Sequence, residues 1–258
     1  MRADRRILAS CMATLALASG CAQQRGGEPR VPLSEWARDL PAVGDPGKVA
    51  ATDIAFAKSA REDGQWTAFR RYAADDAKRI EDGHIVAAQE WLSGRSDPPQ
   101  AITWTPSEVW SSCDGTLAVS FGRWQQPSGL VGDYATVWRL QRDRTYRWIF
   151  DTGTPDDPQP PPRAPQEEPD EDAIIVPGLA AIEGRVADCP GDGETFAPPV
   201  AAVPAGVAVD TASAADNSLR YRLEHAPDGS HRVVVTWRRE GAWQDALSFA
   251  VPAPRAGG

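Results

Sequence analysis

Long apolar runs are missing from this chain, and so is any excess of basic residues. The longest largely apolar stretch, Ile7 to Ala18, is about a dozen residues, short of the roughly 20 that a membrane-spanning helix needs. Lys and Arg number 27 against 36 Asp and Glu, a formal charge of −9. With no basic stripe to neutralise phosphates, nucleic acid is excluded as a partner, and so is peripheral attraction to anionic lipid. Histidines number only 3, and no His-Glu-x-x-His or Gly-x-Ser-x-Gly motif occurs. Gly44-x-x-Gly47-Lys48-Val49 lacks the spacing and the Ser/Thr of a phosphate-binding loop. The acidic run 167–172 lacks the glycine of a calcium loop. No metal and no cofactor is expected.

What is present at the start is an export pattern. Arg2, Arg5 and Arg6 precede the short apolar stretch, which has the length of a signal-peptide core. The small residues Ala18-Ser19-Gly20 before Cys21 resemble the lipobox of bacterial lipoproteins, which implies cleavage after residue 20 and a lipid on Cys21. A signal cut near Ala22 with Cys21 incidental is the alternative. Removing residues 1–20 takes away a net +2, and −9 less +2 leaves −11. Attachment to a membrane would then rest on acyl chains, of which stable anchoring takes more than one. Ala22 stands where some lipoproteins carry an Asp that retains them at the inner membrane, so a periplasm-facing anchor in the outer membrane is expected.

Of the 4 cysteines, Cys11 leaves with the signal and Cys21 takes the lipid. Cys113 and Cys189 remain. In an oxidising compartment they form a disulfide, or else they are two buried thiols that never meet. Residues 21–45 are polar and bear Pro and Gly, as a tether does. From 155 to 172 seven prolines, Pro155 to Pro169, alternate with acids, so neither helix interior nor sheet ladder is expected there. Two structured blocks follow, 46–154 and 173–258.

The first block opens with Asp45-Pro46, an N-cap and a first-turn proline. Val49, Phe56 and Ala60 then share a helical face, and Gly64 stops the helix. Trp66, Phe69 and Ala73 continue as a second short helix. A strand is expected over Ala77–Ile85 and a helix over Val86–Leu92. Alternation then marks strands around Ile102–Val109, Leu117–Trp124, Tyr134–Leu140 and Tyr146–Phe150. Helices first and an antiparallel meander after them define an α+β domain. The second block reads as three strands, Leu219–Leu223, Val233–Trp237 and Trp243–Val251, whose apolar face needs the first block to cover it.

Asp63-Gly64-Gln65-Trp66, Phe69, Tyr72 and Ala73-Ala74-Asp75-Asp76-Ala77 resemble the opening of a nuclear transport factor 2-like domain of the SnoaL type. Ser112-Cys113-Asp114-Gly115, Gly122-Arg123-Trp124, Tyr134 to Arg139 and Tyr146 to Gly153 fit its meander. The resemblance covers about 46–154. It implies a curved sheet wrapped on N-terminal helices around a cone-shaped pocket, and often a homodimer formed through the sheet face. It does not imply one activity, since such domains include isomerases, dehydratases, cyclases and non-catalytic binders.

Within that frame, Asp151 has two readings. It is a general base in an apolar pocket, with Arg147 or Tyr134 polarising a substrate oxygen, or a strand-end carboxylate paired with Arg123, Arg139 or Arg147. Alternation places it on the face of Ile149 and Arg147. Asp76 either aims inward or caps a turn; His84 is either a base beside Glu81 and Asp82 or a solvated turn residue. His225 and His231 flank a turn and make at most an adventitious metal site. Phe56, Trp104, Trp124, Tyr134, Trp138 and Trp148 line a ligand pocket or fill the core. The leading expectation is a non-catalytic, lipid-anchored binder of a small apolar ligand or an envelope partner. A small-molecule enzyme using a pocket carboxylate and a dimeric scaffolding subunit are the alternatives.

Overall fold

The computed structural model describes residues 43–81, 83–161, 181–191, 194–197, 199 and 202–254. The expected signal, Cys21, most of the tether and residues 162–172 of the proline-rich segment lie outside them. Helix α1 (Pro46–Asp63) starts as its sequence predicts, with Asp45 accepting from the Lys48 amide at 3.0 Å. Gly64 ends it at φ 109°, a conformation that side chains with a Cβ rarely adopt. Helix α2 (Gln65–Tyr72) follows at once and is capped from a distant loop. Asp97 accepts from the Trp66 and Thr67 amides at 2.6 and 3.0 Å and from the Thr67 hydroxyl at 2.6 Å. That hydroxyl, foremost, holds the Asp97 carboxyl below the usual range.

The next segment departs from expectation. Strand β1 runs over Ala73–Glu81 and turns at Gly83 (φ 73°) into β2 (His84–Ala87), leaving only Ala88–Ser93 as helix α3. Ala73 and Ala74 are buried and too small to hold β1 away from its neighbour. β1 therefore pairs in parallel with β6 from Ala73 onward, and Asp75-Asp76 lie in the strand rather than in a turn.

Strands β3 (Thr103–Ser111), β4 (Leu117–Gln125), β5 (Val131–Leu140) and β6 (Tyr146–Pro155) form the antiparallel meander. A four-residue strand, β7 (Glu183–Val186), adds in parallel to β3. The result is a seven-stranded mixed sheet of order β2-β1-β6-β5-β4-β3-β7. A second, antiparallel sheet of order β11-β10-β9-β8 is built from β8 (Ala208–Ser213), β9 (Leu219–His225), β10 (His231–Arg239) and β11 (Ala242–Val251). The fold is α+β, with one strand more than expected in the second sheet and β7 lent to the first.

The helices cover one face of the large sheet and the small sheet covers the other. On the helix side α1 packs against β3 and β4, with the Phe56 ring 4.7 Å from Trp104 and 6.2 Å from Trp138. On the other side Phe150 stacks on Tyr221 at 5.6 Å and Phe121 meets Phe249 at 5.7 Å. The sheet face opposite the helices is thus covered within this chain.

Two hairpins clasp each other where the sheets meet. Asp114 accepts from the Asp216 amide and Asp216 from the Asp114 amide, both at 2.9 Å. The Ser218 hydroxyl accepts from the Cys113 amide at 2.8 Å. Beside them Cys113 and Cys189 form a disulfide, Cα–Cα 5.1 Å, closing a long loop across which the chain leaves and rejoins the first sheet.

Candidate functional site

Alternation fails at one residue, and that failure makes the site. Val137 pairs with Phe150 but Trp138 pairs with Trp148, so Ile149 is left without a partner in the β5–β6 ladder. An extra residue of this kind turns the following side chains to the opposite face. Asp151 therefore lies on the helix side with Trp148 instead of with Arg147. Its register partner is Thr136, whose hydroxyl donates to Asp151 Oδ2 at 2.7 Å.

The expected ion pair with a neighbouring arginine does not form. Arg123 is taken by Asp133 and Asp156, Arg139 by Asp76, and Arg147 donates to the Arg71 and Ala73 carbonyls. Asp151 instead lines a cavity of about 390 Å³ between the helices and the sheet, within the size range of small-molecule sites. Phe56, Trp66, Phe69, Ile102 and Trp104 form its apolar walls, and Arg79, Tyr134, Asp151 and Thr152 its polar end. Burial pushes the Asp151 carboxyl up, against the Thr136 hydrogen bond and the Arg79 charge. Burial likewise lowers Arg79.

Trp124 closes one side. Its Nε1–H donates to the Asp133 carbonyl at 2.9 Å. A Cβ on Gly132 would come within 2.5 Å of its indole, and one on Gly153 within 3.0 Å. Those two glycines on β5 and β6 leave the room in which the indole lies.

Behind the cavity sits a carboxylate that the sequence reading passed over. Asp53 of α1 is fully buried and accepts from Trp104 Nε1–H at 2.8 Å, the Ser120 hydroxyl at 2.7 Å and the Tyr134 hydroxyl at 2.9 Å. Ser120 in turn accepts from Trp138 Nε1–H at 2.9 Å. Desolvation outweighs these donors and raises the Asp53 pKa to about 6. Tyr134 is pushed well above its usual value, by burial first and then by the Asp53 charge. While Asp53 is ionised, Tyr134 spends its proton on it and offers only lone pairs to the cavity. Protonation of Asp53 would make it a weaker acceptor and loosen its hold on the Tyr134 hydroxyl. The signal for Asp53 was legible: it falls between Val49 and Phe56 on the apolar stripe of α1, where a charge needs buried partners.

The remaining candidates are placed elsewhere. Trp138 and Trp148 are buried behind the cavity, with Trp148 Nε1–H donating to the Phe69 carbonyl at 3.2 Å; they fill the core and do not line the pocket. Asp76 is exposed and paired with both Nη atoms of Arg139, which holds its carboxyl down. His84 is exposed and faces Glu81 across the β1–β2 hairpin. His225 and His231 do pair across their hairpin, but His231 Nε2 contacts the Thr152 hydroxyl at 2.8 Å. Among the described residues no group of three His, Cys, Asp or Glu side chains converges as a metal site, and no helix is long and apolar enough to cross a membrane. No protein-family model matches the chain, and no curated protein matches it.

Proposed function

We propose that this chain is an exported, lipid-anchored envelope protein whose helix–sheet domain, of the nuclear transport factor 2-like kind, holds a small, largely apolar ligand. The observation that carries the reading is the aromatic cavity with a charged and polar cluster at one end. A core built only for stability is filled to crystal-like density, whereas this one keeps about 390 Å³ open beside buried polar groups. The order of elements, helix pair, hairpin, short helix and meander, supports the family assignment. The Cys113–Cys189 disulfide supports an oxidising compartment. Native mass spectrometry on protein taken from its own membrane tests the binding reading. A non-covalent mass of small-molecule size is expected, and a bare chain under the gentlest conditions counts against it. Labelled palmitate should enter the wild type and not Cys21→Ala; label persisting in that variant defeats the anchor.

One observation favours a second reading. Asp151 stands at the wall of an apolar cavity with its pKa raised and a guanidinium nearby, the setting in which a carboxyl moves protons near neutral pH. In a catalytic cycle Asp151 would take a proton from a bound substrate while Arg79 or Tyr134 faced the oxygen that gains charge. Turnover lost in Asp151→Asn with binding retained would establish it.

A further inference from the structure

Two cavities share one wall. The aromatic chamber and a second cleft of about 250 Å³ are both bordered by Arg79, Asp151, Thr152 and Gly153. The far side of that cleft belongs to the second sheet and the chain beyond it, with His231, Val251, Pro252 and Pro254. The polar end of the chamber is therefore also a wall of the cleft, and these residues form the junction between the two.

Arg79 is held at this junction by its flat face. Its guanidinium lies 3.5 Å from the centre of the Trp91 ring, and Arg95 lies at 3.5 Å from the same ring. Such stacking fixes the plane and leaves the donor edge for hydrogen bonds. That edge is under-used. Arg79 Nε–H is buried without an acceptor, and the carboxylate paired with the group, Glu81, is at 3.5 Å. Glu81 is also shared with Arg95, at 2.8 Å.

We propose that the ligand carries a single carboxylate, which Arg79 binds at the junction while its apolar body occupies the aromatic chamber. This rests on the reading of the chamber as a ligand site. The planar donor edge of a guanidinium matches a carboxylate in two parallel hydrogen bonds. An amine is disfavoured because the Arg79 guanidinium already places a positive charge at that end. A dianionic phosphate would call for a second cation, and the other basic group of the cleft, His231, is kept toward its neutral form by burial. Burial raises the Asp151 pKa, which weakens that carboxyl's opposition to the head group.

Calorimetry on the full lipidated chain in lipid nanodiscs, with empty discs as blank, tests this with 2-naphthoate, 2-naphthol and 2-naphthylmethylamine. The naphthoate should bind at least about tenfold more tightly than the naphthol, with the amine weakest. Arg79→Gln should bring naphthoate and naphthol level. Equal or tighter naphthol binding by the wild type overturns the carboxylate assignment and leaves the chamber reading standing, as does a naphthoate preference that survives Arg79→Gln. Failure of all three to bind defeats both. If Arg79→Gln does not fold, the order of the three ligands on the wild type decides, with Arg79→Lys as the variant arm.

Discussion

The two faces of the seven-stranded sheet are covered in different ways. Toward the second sheet the layer is filled around Tyr221, with the smaller cleft confined to the end near His231: Leu219, Tyr221, Leu223, Val233 and Val235 are all at or below 1 % exposure, and Tyr221 stacks on Phe150. Toward the helices the layer is aromatic, threaded by a buried hydrogen-bond network, and hollow. Small aliphatic side chains on two sheets can interdigitate without gaps. Large rings spanning from the helices to the sheet leave space that no described side chain occupies. The first face holds the molecule together, and the second carries the proposed ligand site.

Truncation should separate the two. Leu223→Ala removes side-chain volume from the filled layer and should cost roughly 2–5 kcal/mol. The matching change at Ile102, on the cavity wall, should cost less, since that side chain is only partly buried and has less burial to lose. Urea midpoints measure both, and equal losses would erase the distinction.

Next in size is the staple between the layers. Replacing Cys113 and Cys189 together by Ala should lower stability by roughly 2–4 kcal/mol. The Asp114–Asp216 clasp persists without it. Ligand binding on the helix side should therefore change little, and a collapse of binding would show that the two faces are not independent.

The third test is pH. The folded-state pKa of Asp53, about 6, lies above its ordinary 3.8, so the folded protein holds this proton more tightly than the unfolded chain. The stability so gained is complete below 3.8 and is lost as pH rises through about 6. Asp53→Asn has no such titration. The stability of wild type relative to Asn should therefore fall by up to about 3 kcal/mol across that window. A constant difference between about pH 4 and about pH 7 would mean that Asp53 is not desolvated as the structure has it.

Much of the frame was legible from local signals. Asp45-Pro46 and Gly64 bracket α1, and alternation marks the meander and the β9–β11 strands, because capping and a one-sided core write directly into sequence. The short edge strands were not legible. Glu183–Val186 is mostly polar and exposed, and only its pairing with β3 makes it a strand. The start of β1 hid because Ala73-Ala74-Asp75-Asp76 continues the helical pattern of α2; Arg79 lies inside the expected strand, but no local signal marks it as a cavity residue. Asp151 was noticed but assigned to the wrong face, since one unpaired residue, Ile149, is set by the partner strand and not by its own sequence. Cys113 and Cys189 were left between two readings, and the fold brings them together.

Indole nitrogen–proton resonances give the most direct test of a hollow face opposite a filled one. Trp66, Trp104 and Trp124 border the chamber, while Trp237 and Trp243 belong to the second sheet. Titration with 2-naphthol should shift the first three in a saturable way and leave the last two in place. Shifts centred on Trp237 and Trp243, or no saturable shift at all, would contradict a ligand site on the helix side of the sheet.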